Sequence, residues 1–197
     1  MDGEFWTAFV PSLAMGIGLA ACAGLRAWLP LLLAGLLARA GILELGPSFR
    51  FIASNQALIL FGVATLVEML GDKIPAVDHT LDALSTVLRP AAASLLAASV
   101  MWRIPDPLTA LALGVAVGAP TALVPHAAKS TLRAASTALT GGLANPLLSL
   151  IEDLAAVTLF AFTVVVPVVV ALTVLLVTAL VIRRLARRRL RSTVPAT

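Results

Sequence analysis

Along this chain the apolar runs are long and the polar positions come in short clusters. Neither the 3.6-residue alternation of a soluble amphipathic helix nor the two-residue alternation of a half-buried strand organises it. Runs of this kind predict membrane helices, which need about 20 apolar residues each. Residues 6–40 form the first run, punctuated by Pro11, Gly16, Gly18, Gly24 and Pro30. It is too long for one span and predicts either a helix bent at its start or a re-entrant piece followed by a span. Residues 41–56, with Glu44, Gly46, Pro47 and Arg50, predict a loop with an interfacial turn. Residues 57–70 are a second, short apolar element that ends on Glu68, with Asp72 one turn later. Both carboxylates share a helical face if the helix continues through Gly71. Asp78, His79 and Asp82 follow in what reads as a polar connection, and residues 85–102 carry Arg89-Pro90 near their start and Trp102-Arg103 as an interfacial anchor.

The second half opens with residues 108–124, rich in Ala and Gly. Gly114 and Gly118 stand four apart, the spacing that lets membrane helices approach closely. Pro120 and Pro125 are expected to interrupt this element. Residues 126–140 are more polar, with His126, Lys129 and Arg133, and Gly141-Gly142 ends them. Asn145-Pro146 then begins the element that holds Glu152 and Asp153, because Pro in a first turn is a start signal. Residues 163–182 predict a final span rich in Val and Leu.

An internal repeat runs through this order. Ala20-Ala21 and Leu25-Arg26-Ala27 match Ala127-Ala128 and Leu132-Arg133-Ala134. Thr65 to Leu70 matches Ser149 to Leu154, and Thr86-Val87 with Pro90 matches Thr163-Val164 with Pro167. Three elements per copy, an odd number, predict a second copy that enters the bilayer in the opposite sense. Such inverted repeats bring polar residues of broken helices together near the midplane, here Arg26 and Glu68 toward Arg133 and Glu152.

Composition removes the soluble alternatives. The 197 residues are 60% hydrophobic and only 12% charged, and the mean hydropathy of +1.02 lies in the membrane range. The net charge of +4 misleads, since six arginines are packed into residues 183–191, directly after the last apolar run. A basic cluster against a span is a topology signal and a contact for anionic lipid rather than for nucleic acid, and it predicts a cytoplasmic C-terminus. With six elements the N-terminus is then cytoplasmic too, which leaves Arg39, Arg50 and Arg103 on outside connections, against the charge rule. The first residues carry Asp2 and Glu4 and no base, so the first apolar run is expected to be retained rather than cleaved. The single cysteine, Cys22, reads as a small packing residue.

The run Gly18-Leu19-Ala20-Ala21-Cys22-Ala23-Gly24-Leu25-Arg26-Ala27-Trp28-Leu29-Pro30 carries a resemblance, together with Glu68, Asp72-Lys73-Ile74-Pro75, Asp78 and Arg89-Pro90. Residues 142–153, with Asn145-Pro146 and Ser149-Leu150-Ile151-Glu152-Asp153, complete it. This set of motifs resembles a bacterial family catalogued as domain of unknown function 4126, over nearly the whole chain up to about Val170. The resemblance implies multipass membrane character and implies no activity.

The chemistry rests on charge inside the membrane. Arg26, Lys73, Arg89, Lys129 and Arg133 face Glu68, Asp72, Asp78, Glu152 and Asp153, and their signs balance. Intramembrane carboxylates are costly unless paired, protonated or hydrated, so they mark function by default. Glu152 with Asp153 are expected to be the acids left for a cation or proton, because two adjacent acids should not both face one Arg. Arg26 and Arg133 suit an anionic headgroup or phosphate. No HExxH, Cys-His, Ser-His-Asp or phosphate-cradling Gly motif is present, so an enzyme, a cofactor and a metal site are not expected.

These readings predict an all-α integral membrane protein, one domain over 1–197, with about six helices or re-entrant elements in two inverted three-element repeats. The repeats cover about 6–103 and 107–182, and a basic cytoplasmic tail covers 183–197. The expected function is a small permease in a bacterial inner membrane. Its solute or ion site comprises Arg26, Glu68, Asp72, Arg89, Arg133, Asn145, Glu152 and Asp153. A flippase for an anionic lipid of polyprenyl-phosphate type and a non-transporting scaffold are the alternatives. Expected partners are membrane lipid and a small solute or headgroup, and a homodimer is compatible with the Gly114 face. A cavity reaching Glu152 would favour translocation, and dry, paired carboxylates would count against it.

Overall fold

The computed structural model describes residues 3–72 and 75–192, with side chains over 5–72 and 84–187. All regular structure among them is helical: α1 (Gly3–Leu25), α2 (Leu29–Arg39), a 3-10 helix (Pro47–Ala53), α3 (Asn55–Gly71), α4 (Pro75–Ser99), α5 (Pro107–Thr140), α6 (Asn145–Val165) and α7 (Pro167–Ser192). Four of these, α1, α5, α6 and α7, are long and apolar enough to cross a membrane. The 3-10 helix and α3, bent by 57° between them, pass the same test as a pair.

The side chains are distributed inside out. Leu66, Leu70, Leu150, Leu154, Val165 and Leu172 are exposed, whereas Arg26, Glu68, Asp72, Arg89, Lys129 and Arg133 are buried. Water would reject that arrangement and a bilayer selects it, because lipid solvates the leucines and cannot solvate unpaired charge. The chain is a helical membrane protein.

α1 is the central helix, and small residues let the others close on it. A side chain at Gly18 would meet Thr163 of α6, and one at Gly24 would collide with the backbone carbonyl of Ala122 on α5. Gly114 and Gly118 use the same device against α4, facing Ser94, Ala98 and the Ala93 carbonyl. The four-residue glycine spacing is thus used within the monomer, to pack α5 on α4.

The break at Arg26–Trp28 sets the topology. α2 turns back along the outside of the bundle, so that Gly35 meets Ile52 and Arg39 reaches Asn55 at the start of α3. α3 runs forward again until Glu68 meets Ala27 and Trp28. α4 returns until the carbonyl of Ser99 accepts from the Gly46 amide. α5 then runs parallel to α1, matching Gly118 with Ala93 and Ala122 with Gly24. α6 runs antiparallel to α1, with Ser149 at Arg26 and Thr163 at Gly18, and α7 packs Ala171 on Ala14 and Ile17.

This order does not carry the expected inverted repeat. A twofold axis in the membrane plane needs α1 and α5 to run in opposite directions, and they run the same way. The physical reason is parity: the hairpin at Arg26 adds a return pass, so four segments rather than three precede α5. The expected interruption at Pro120 and Pro125 is also absent, since α5 continues through both as one helix. Membrane helices tolerate such prolines because neighbouring helices, hydroxyls and local adjustments re-satisfy the freed backbone groups. The polar connection expected around Asp78, His79 and Asp82 has the backbone of α4, which begins at Pro75; their side chains, and all of Lys73, lie outside the described residues. Thr163 and Val164, expected to open the last span, belong to α6.

Candidate functional site

The ends of helices bring the charges together. Arg26 sits where α1 stops; Glu68 is one turn from the end of α3, and Asp72 caps that end, its amide bonded to the Glu68 carbonyl at 3.1 Å. On α5, His126, Lys129 and Arg133 are spaced by three and four residues and therefore share one buried face. α6 supplies Ser149, Glu152 and Asp153 from its second and third turns, and α4 supplies Arg89 from beside Pro90.

Asp72 is the centre. Its Oδ2 alone takes Arg26, the Lys129 Nζ at 3.2 Å and the Arg133 Nη2 at 2.8 Å. Glu152 receives the same three cations: Arg133 through Nε at 3.2 Å and Nη2 at 2.9 Å, Lys129 at 3.2 Å and Arg26 at 3.8 Å. Arg26 is wholly buried. Besides Asp72 it donates through Nη2 to the Ser149 carbonyl and hydroxyl, at 3.1 and 2.8 Å, and its Nε lies 2.6 Å from Asp153 Oδ1. One guanidinium therefore spans both Glu152 and Asp153, contrary to the expectation that adjacent acids cannot share an arginine. A fork of five donors has the width that a point charge lacks.

Glu68 does different work. Its two oxygens accept from the amides of Ala27 and Trp28 at 3.1 and 3.3 Å, and these are orphan donors left by the break before α2. A carboxylate at a helix N-terminus also complements its dipole. Arg89 Nη2 lies 3.5 Å from Glu68 Oε1, and Arg89 Nη1 meets His126 Nδ1 at 2.6 Å. A guanidinium only donates, so the imidazole nitrogen facing it is the acceptor.

Of the eight residues expected from the sequence, seven join this network. Asn145 stands apart, with its Nδ2 donating to Thr137 Oγ1 at 3.1 Å. Lys129 was counted among the intramembrane charges but not placed in the site, and His126 and Ser149 were missed. The three- and four-residue spacing of His126, Lys129 and Arg133 within residues 126–140 was the available signal. Four bases, Arg26, Arg89, Lys129 and Arg133, face four acids, Glu68, Asp72, Glu152 and Asp153, so the buried layer is close to neutral.

Two cavities lie near it. One of about 240 Å³ between α3 and α4 is lined by Trp28, Leu60, Val67, Ser85 and Leu88 and has Glu68 in its wall. A larger apolar one of about 600 Å³ lies between α6 and α7, with Ile151, Leu154, Phe162 and Val170 among its walls. Glu152 lines neither and is paired, the outcome expected to count against translocation. Among the described residues no group of three or more His, Cys, Asp and Glu is placed to hold a metal ion.

The model of a family described as a domain of unknown function matches residues 13–187. The chain belongs to the domain of unknown function 4126 family. Neither the curated proteins nor the solved structures contain a match to it. Within this 4126-family chain the matched region takes in the whole charged network, from Arg26 to Asp153, and most of α7.

Proposed function

We propose that this protein is a small membrane permease for a charged solute, and that the network joining Arg26 to Asp72, Lys129, Arg133, Glu152 and Asp153 is its substrate site. The observation that carries the reading is the sharing of oxygens: Asp72 and Glu152 each contact the same three cations. A scaffold that needs only register is served by a single pair, and buried pairs are no more stabilising than well-packed apolar residues. Shared contacts give several pairings of similar energy, which is what an exchange with a charged solute requires. In this reading the paired state is an occluded one. The backbone supports motion around it, with breaks at Arg26–Trp28 and at Val166.

The orientation follows from charge. The start of α1, the end of α2, the 3-10 helix, the end of α4 and the start of α5 lie at one end of the molecule; Thr7, Pro11, Glu44 and Trp102 line one cavity there. If α7 continues in the direction of α6, Arg183, Arg184 and Arg187 reach that end too. Arg39, Arg50 and Arg103 therefore stand with the basic tail rather than opposite it. The positive-inside rule makes this end cytoplasmic, with both termini, in a bacterial inner membrane.

The test is flux in proteoliposomes for wild type, Glu152→Gln and Arg26→Ala. Loss of flux with an unchanged helical spectrum supports the permease. Absence of flux of any tested ion or organic anion in folded wild type favours the scaffold.

A further inference from the structure

We propose that Arg26, Lys129 and Arg133 form an oxyanion site, for a carboxylate or phosphate group, which Asp72 occupies from within until the substrate displaces it. This names the solute class of the permease and rests on that reading for transport, though the binding itself is independent of it.

Three observations converge. First, the two basic residues of α5 and the one at the end of α1 direct N–H groups at a single oxygen of Asp72. Convergent Arg and Lys donors around one oxygen are the arrangement that binds phosphate and carboxylate, and here an internal carboxylate fills it. Second, Asp72 arrives on a helix that is otherwise peripheral. α3 packs on α2, the 3-10 helix and α4, while Leu66, Val67 and Leu70 face outward. Its ties to the central helices run through Glu68 and Asp72 at its last turn. The cavity of about 240 Å³ between α3 and α4 gives this end of α3 room to move. Third, the charges select the sign. An incoming anion that replaces Asp72 keeps all three cations paired. An incoming cation must instead approach a carboxylate already ringed by three positive groups, against repulsion that low dielectric strengthens.

The chemistry is shared by free phosphate and by the phosphate of a lipid headgroup, so the experiment has an arm for each. Purified protein in phosphatidylcholine nanodiscs, with Trp6 and Trp102 replaced by Phe, reports through Trp28, whose amide is bound to Glu68. Inorganic phosphate is titrated in one arm, and phosphatidic acid is doped into the nanodisc in the other; potassium and ammonium as chloride salts serve as controls. A saturable response to phosphate or to phosphatidic acid, and none to the cations, supports the site and identifies the source. A response to cations alone, or to none of these probes, overturns it.

Asp72→Asn adds a prediction of unusual sign. Removing the internal competitor tightens phosphate binding by about tenfold or more, the ratio expected when Asp72 fills the site at least nine-tenths of the time. Lys129→Gln, a charge change in the opposite direction, abolishes it. Unchanged or weaker binding in folded Asp72→Asn overturns the proposal. Should that variant not fold, the wild-type titration decides alone. Anion binding without flux in liposomes would leave the site standing and remove the permease, and cation flux without anion binding would do the reverse.

Discussion

Arg26 ties together four residues from two other helix ends. It bonds Asp72, both oxygens of Ser149 and, at salt-bridge distance, Glu152 and Asp153. Arg26→Ala takes one cation from Asp72, Glu152 and Asp153 alike, and breaking a buried pair in this way costs about 3–5 kcal/mol. Arg26→Lys restores the charge without the fork and falls between. Denaturant unfolding in mixed micelles measures both, and a loss below about 1 kcal/mol for the alanine variant would show that the network carries little of the stability. Asp106, at the exposed start of α5, gives a pH effect. Its Oδ2 accepts from the Thr109 hydroxyl at 2.5 Å and the Thr109 amide at 2.7 Å, and these bonds hold the carboxyl below its ordinary value of 3.8. A carboxylate with a depressed folded value stabilises fully above the unfolded value, and that contribution fades as pH falls through the folded one. Amide exchange at Thr109 should therefore be slow and pH-independent in its protection above about pH 4 and lose protection below, while Asp106→Asn flattens the change. At this scale much of the site was legible. Charge is so costly in an apolar chain that each Arg and carboxylate announced itself by composition. What was hidden was partnership, because Arg26 and Ser149 are joined across 123 positions and no local rule spans that distance.

At the scale of elements, the helices were legible where glycine or apolar length decided them, and proline marked the start of α6 at Pro146 but misled inside α5. Gly141 and Gly142 end α5 with left-handed φ values of 63° and 89°, as the sequence suggests. Pro120 and Pro125 lie inside α5, where tertiary packing overrides their local tendency. The break at Arg26 falls where Pro30, in the first turn of α2, withholds an amide from the Arg26 carbonyl, and Glu68, which arrives from another helix, satisfies the amides of Ala27 and Trp28. Glu68→Ala should thus loosen α2, while Glu68→Gln, which keeps one acceptor, should preserve more of it. Hydrogen exchange at Ala27 and Trp28 separates the two. Close packing gives a sharper contrast. A side chain at Gly118 or Gly24 meets backbone carbonyls that cannot move aside, so Gly118→Val and Gly24→Val are expected to cost about 1–3 kcal/mol or more. Gly41, with φ of 72° and open space around it, lacks that steric conflict, and Gly41→Ala should lose only the backbone term of about 1–2 kcal/mol. Equal losses at the three sites would remove the packing explanation.

For the molecule as a whole, the parity of passes decides which charges share a side. Counting the first apolar run as one crossing places Arg39, Arg50 and Arg103 outside, against the charge rule. Counting the hairpin at Arg26 places them with the tail. The Arg26 layer is then about 30 Å from Trp6 along α1, from 20 residues at 1.5 Å each, which is a full hydrocarbon thickness. With the Trp6 end cytoplasmic, as proposed, the network faces the outer boundary of the bilayer rather than its midplane, and the proposed solute would enter from outside through a short path. Cysteine labelling in sealed inverted and right-side-out vesicles tests this directly. Cys22 is buried and is replaced by Ser in the background. Pro105→Cys, at the exposed turn before α5, and Ala186→Cys, in the basic part of α7, should react with a membrane-impermeant maleimide only from the cytoplasmic face. Leu143→Cys, 87% exposed between α5 and α6, should react only from the other. If Leu143→Cys and Pro105→Cys label from the same face, α5 does not cross, and the depth assigned to the network fails with it. If the two label oppositely but Ala186→Cys follows Leu143→Cys, α7 turns back at Val166, and only the position of the tail is wrong.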